Sequence, residues 1–92
     1  MNAAALAPAG LSAALLSEAL ALAEGTAGPR EAAALLRQRF APMRVVVVDS
    51  FDMRAEKPAA QGARRALYLA ASDGHCWSVT ADPTEAVGLF LS

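Results

Sequence analysis

Apolar and polar positions change their spacing once along this chain, near residue 44, and the change separates a helical part from a strand part. From Leu11 to Glu24, the residues Leu11, Leu15, Leu16, Leu20 and Leu22 share one half of a helical wheel. Ala19 and Ala23 lie between them, and Ser17, Glu18 and Glu24 fall opposite. The spacing predicts a helix over 11–24 that stops at Gly25. Thr26-Ala27-Gly28-Pro29 reads as a turn, with Pro29 suited to the first position of a second helix over 29–40. Glu31 near its start and Arg37 and Arg39 near its end complement the helix dipole. Ala33, Leu36 and Phe40 line one face, Arg30 and Arg37 lie across from it, and Pro42 disfavours helix at Ala41. The short connection implies an antiparallel helical hairpin. Residues 1–10, Ala-rich with Pro8 and Gly10, read as a frayed lead-in.

Beyond Arg44 the period shortens. Val45–Val48 are four β-branched residues in a row, which predicts a strand over 44–51 covered on both faces. Residues 54–63 are polar, hold Pro58 and Gly62, and read as a long flexible loop. Arg65–Ser72 and His75–Thr80 are strand-like runs joined by Asp73-Gly74, a pair that favours a two-residue type I′ turn. That turn sets Ser72 opposite His75, Ala70 opposite Trp77 and Tyr68 opposite Val79. Tyr68, Ala70, Trp77 and Val79 then share one face, while Leu67, Leu69, Ala71 and Cys76 take the other. Asp82-Pro83-Thr84-Glu85 reads as the start of a short helix near 83–87, and Leu89–Leu91 as a fourth, edge strand. The expected architecture is α+β: an N-terminal helical hairpin packed on a small three- or four-stranded antiparallel sheet.

Composition narrows the function classes. Ninety-two residues make one domain, here 1–92 with the hairpin at 11–40 and the sheet at 44–92. A net charge of −1 supplies no global field for nucleic acid or an anionic membrane. The one cysteine, Cys76, excludes a disulfide within the chain and any two-cysteine zinc or cluster motif. No apolar run reaches membrane-span length. Leu11–Ala23 looks superficially like a signal peptide, but no Lys or Arg precedes Arg30 and Glu18 interrupts the stretch. A cytoplasmic location is expected.

Candidate chemistry is sparse. His75 and Cys76 are both metal-binding types, but consecutive strand residues point to opposite faces, which separates them. Asp49 and Asp52 could pair as carboxylates only within a turn, and backbone capping is the commoner role of such residues. No Ser-His-Asp set, HExxH helix or Gly-rich phosphate cradle is present. Arg54, Lys57, Arg64 and Arg65 against Glu56 make the 54–65 segment locally basic, suited to an acidic surface or a phosphate. Trp77 beside Tyr68 is either core or an interaction hot spot, depending on what covers that face.

The second half of the chain, through VVVVDSFDMRAEKP, QGARRALYL and SDGHCWSVTADPTEAVGLFLS, resembles a small uncharacterised bacterial family encoded among nitrogen-fixation genes of diazotrophs. The resemblance rests on Asp49–Pro58, on Gly74-His75-Cys76-Trp77 and on the Asp82-Pro83…Gly88-Leu89 ending. It implies a setting and assigns no catalytic residue. The function expected is a non-enzymatic accessory or adaptor protein, without a cofactor, that binds another protein or a second copy of itself. The candidate partner-binding residues are Trp77, Tyr68, His75, Arg54, Lys57, Arg64 and Arg65. The alternative is a metal- or cluster-handling protein using Cys76 or His75 with a carboxylate from Asp49 or Asp52.

Overall fold

A computed structural model describes residues 11–92; the lead-in expected at 1–10 lies outside the described residues. Two helices come first, α1 (Ala13–Glu24) and α2 (Pro29–Arg39). The Ser12 hydroxyl caps α1 by accepting from the Leu15 N–H, and Pro29 opens α2 as its position predicts. The pair meets through small residues. Ala19 and Ala23 of α1 and Ala32 and Ala33 of α2 are wholly buried, whereas Leu15, Leu16, Leu20 and Leu22 are only half-buried around them. Alanine is therefore the close-contact residue of this hairpin, and the leucines spread over the sheet beside it.

Five strands follow: β1 (Arg44–Val47), β2 (Ala60–Gln61), β3 (Ala66–Ser72), β4 (Trp77–Val79) and β5 (Gly88–Leu91). Their order is β1-β5-β3-β2, with β4 also paired to β3. β2 meets β3 at Leu67 and Ala66, and β4 meets it at Ala70–Ser72, so these two short strands share one edge of β3 in succession. The α+β class and the leading helical pair stand as expected. The sheet, however, is mixed rather than antiparallel: β5 runs antiparallel to β3 and parallel to β1, with Val45 beside Leu89 and Val47 beside Leu91.

The two apolar strands exchange their expected places. β5, read as an edge, is central and buried along its whole length. β1, read as covered on both faces, is the edge strand; it ends at Val47 rather than residue 51, and Val46 and Val47 are each 37 % exposed. The Arg37 guanidinium, expected to lie across from the packed face of α2, donates through Nε and Nη2 to the Val45 carbonyl at 3.0 and 2.7 Å. A cation thereby occupies one acceptor of the chain's free edge, a position where unpaired strands otherwise recruit other chains. At the β1–β5 seam, a Cβ added to Gly88 would lie 2.5 Å from the Arg44 carbonyl oxygen, so the two backbones approach as closely as only glycine permits.

Two further expectations are corrected. The β3–β4 hairpin pairs Ser72 with Trp77 and Ala70 with Val79, so its loop holds four residues, 73–76, instead of two. Only Gly74 has positive φ, at 96°, which rules out the type I′ turn that needs two such residues. The Asp73 carboxylate organises the longer turn, accepting from the N–H groups of His75 and Cys76 at 2.8 Å each. Because the slip is two residues, each side chain keeps its face. The other correction lies at 83–87, where the chain makes a turn and not a helix. Asp82 accepts from the N–H and hydroxyl of Thr84 as a cap would, but Gly88 already belongs to β5, leaving no room for a helical turn to propagate.

The sheet has a core on each side. Val45, Leu67, Leu69, Leu89 and Leu91 face the helices. Tyr68, Ala70 and Phe90 face the other way, packed with Met53, Val48, Trp77 and Val79. The segment after β1 closes that second side through successive turns: the Met53 N–H donates to Asp49 and Ser50 carbonyls, and the Glu56 N–H to that of Met53. The loop expected over 54–63 therefore begins with ordered turns and contains β2.

Candidate functional site

The seven candidate residues fall in three places. Four of them, Arg54, Arg64, Arg65 and Tyr68, line one open cleft of about 560 Å³. The turn segment after β1 contributes Met53, Arg54 and Glu56, the link from β2 to β3 contributes Arg64 and Arg65, and β3 contributes Tyr68. Lys57 is exposed and stands outside this lining. Trp77 and His75 belong to the opposite end of β3.

The arginines are held by carbonyls instead of carboxylates. Arg54 stacks on the Phe51 ring, 4.0 Å from its centroid, and donates to the Phe51 carbonyl at 2.8 Å. Arg65 reaches the Arg64 and Thr26 carbonyls at 3.1 and 3.4 Å. Arg64 lies 3.5 Å from the Ala27 carbonyl. Among the described residues the ion pair is elsewhere, between Arg39 and Glu18 on the helices. A carbonyl orients a guanidinium without neutralising it; the Glu24 carboxylate, bonded to the N–H groups of Arg64 and Arg65, offsets part of their charge. In addition, the Arg65 Nε is buried with no hydrogen-bond partner, a donor left without compensation.

Tyr68 forms the apolar floor. It is 5 % exposed. The hydrogen bonds around the cleft run to Phe51, Glu24, Ala27, Arg64 and Thr26, and none engages its hydroxyl. Among the described residues the buried side-chain polar atom without a partner is the Arg65 Nε, so the Tyr68 hydroxyl, at the end of a packed ring, is reached by water.

Glu24, at the end of α1, is the residue that sequence reasoning missed. Its carboxylate accepts from the N–H of Arg64 at 2.9 Å and of Arg65 at 2.7 Å, forty residues away, and so fixes the segment that presents both arginines. The Arg64 N–H, chief among these contacts, holds the Glu24 carboxyl below its ordinary value, against the opposing effect of desolvation. On the helical wheel Glu24 is merely one polar residue, and nothing in its spacing signals a partner in the sheet.

At the other end, Trp77 is half-buried, edge-on to Phe90 with ring centroids 6.4 Å apart, and the Arg44 guanidinium lies 5.4 Å from its ring. His75 and Cys76 are both exposed within the 73–76 turn. Strand alternation, the reason given for their divergence, does not govern them, because neither lies in a strand. Asp73 beside them is engaged by their N–H groups, and the Cys76 N–H is the first cause holding its carboxyl below the ordinary range. Asp49 accepts from the Phe51 N–H at 2.7 Å, the capping role. Among the described residues, no three of His, Cys, Asp and Glu come together in a group that could hold a metal ion.

No family model matches the chain, and no curated protein or solved structure matches it either. Among the described residues no helix is long and apolar enough to cross a membrane.

Proposed function

We propose that this protein is a non-enzymatic accessory or adaptor protein that docks an acidic segment of another protein in the cleft between the 49–57 turns and the β2–β3 link. One observation carries the reading: Arg54, Arg64 and Arg65 gather around a single cleft, and among the described residues no carboxylate forms a salt bridge with any of their guanidinium groups. Three arginines against Glu56 leave its charged lining at +2, and such a site attracts an anionic partner and sets its orientation. Phe51, 67 % exposed beneath the Arg54 guanidinium, offers an apolar contact beside the charge. The resemblance of residues 44–92 to proteins encoded among nitrogen-fixation genes is the sole support for a setting in nitrogenase assembly, protection or regulation.

Fluorescence anisotropy of a labelled glutamate-rich peptide, titrated with the whole protein at low and at high salt, tests the docking. The expected result is saturable binding that weakens with salt and disappears in the Arg54→Glu, Arg64→Glu double variant. Binding that survives both changes would show that the cleft is not the docking site.

A further inference from the structure

We propose that the group received by the cleft is the phosphoryl dianion of a phosphorylated side chain on the partner, an inference that rests on the docking reading above. Charge is the first argument. The lining side chains sum to +2, and the Glu24 carboxylate behind the link leaves the region at +1; a phosphorylated side chain, at about −1.5 to −2 at neutral pH, is drawn to that positive charge more strongly than a glutamate at −1.

Donor geometry is the second argument. A carboxylate offers two oxygens in one plane, whereas a phosphoryl group offers three that diverge. The cleft draws its donors from three separate segments: Arg54 on the 49–57 turns, the Arg64–Arg65 pair on the β2–β3 link, and Tyr68 on β3. Each arginine is already oriented on a main-chain carbonyl or ring, so little freedom remains to be lost on binding. Tyr68 adds a neutral donor. Its ring is packed to 5 % exposure, it lines the cleft, and its hydroxyl makes no hydrogen bond among the described residues, so only water has to leave for it to donate to a ligand.

The main-chain donors of the same link are not available to this ligand, because Glu24 already occupies the N–H groups of Arg64 and Arg65. Recognition therefore falls to side chains, which makes it separable by substitution.

The test is a calorimetric titration of the full chain with three alanine-flanked pentapeptides, carrying phosphoserine, glutamate or serine at the centre, and with inorganic phosphate alone. The phosphoserine peptide is expected to bind about tenfold or more tightly than the glutamate peptide, and the serine peptide not measurably. Tyr68→Phe and Arg54→Gln are each expected to weaken the phosphoserine peptide by roughly tenfold, the effect of one charge-assisted hydrogen bond. Arg30→Gln, an exposed change on α2 outside the cleft lining, is expected to leave it unchanged. Equal affinity for the phosphoserine and glutamate peptides would overturn the phosphoryl inference and leave the docking reading standing. Binding of none of the peptides, together with failure of the glutamate-rich peptide, would remove both. Inorganic phosphate binding as tightly as the phosphoserine peptide would overturn the assignment to a side chain of a partner.

Discussion

The two faces of the sheet are built from different materials. Toward the helices the sheet presents Val45, Leu67, Leu69, Leu89 and Leu91, aliphatic residues under a layer of buried alanines. Away from the helices it presents Tyr68, Phe90 and Trp77, covered by turns through Met53 and Val48 and flanked by arginines. The first face has no polar group to satisfy and gains stability from close packing alone. The second packs aromatic rings into a smaller core with arginines at its margin. Under the proposed docking, this face also serves recognition, and residue parity divides the two tasks, since alternate residues of β3 serve opposite faces.

Substitution should expose that separation. The largest effect is expected at the helix face, where Leu89→Ala removes a wholly buried side chain at the centre of the sheet. Chemical denaturation should show a loss of about 3 kcal/mol, while the folded fraction binds the acidic peptide as before. Next comes Gly88→Ala, which forces a methyl group against the Arg44 carbonyl oxygen across the β1–β5 seam. A loss of about 2 kcal/mol is expected there, read by the same denaturation curve; an unchanged midpoint would mean that the seam opens freely.

A smaller effect joins the faces. Glu24 ties α1 to the arginine-bearing link, and its carboxyl lies below the ordinary value of 4.5 in the folded protein. A depressed value means that its contribution to stability is complete above about pH 4.5 and is lost as the pH falls through the lower, folded value. Acid unfolding followed by circular dichroism should therefore be shallower in Glu24→Gln than in the parent protein between pH 5 and the acid limit. Asp73 and Asp82, whose carboxyls are also held low, leave a residual slope. Identical acid profiles in parent and variant would show that the tie contributes nothing.

Much of the fold was legible because it is local. The helix limits near Gly25 and Pro29, the hairpin of β3 and β4, and the parity that groups Tyr68 and Ala70 with Trp77 and Val79 all follow from spacing and turn residues. The exchange of β1 and β5 was not legible, since Val45–Val48 and Leu89–Leu91 are both short apolar runs and periodicity does not order strands within a sheet. The hairpin loop was misread by two residues because the Asp73 carboxylate, bonding the next N–H groups, favours a wider turn than Asp-Gly alone suggests. The basic character of 54–65 was visible in the chain. Its convergence with Tyr68 was not, because it depends on how the turns after β1 fold back and on the distant Glu24.

The measurement closest to the central claim pairs thermal unfolding with peptide binding in Tyr68→Phe. The ring stays and only an unpaired hydroxyl is lost, so the melting temperature should remain within about 2 °C of the parent while affinity for the phosphoserine peptide falls roughly tenfold. A lowered melting temperature with binding intact would contradict the account, for it would make the Tyr68 hydroxyl a structural group of the second core and not a donor of the site.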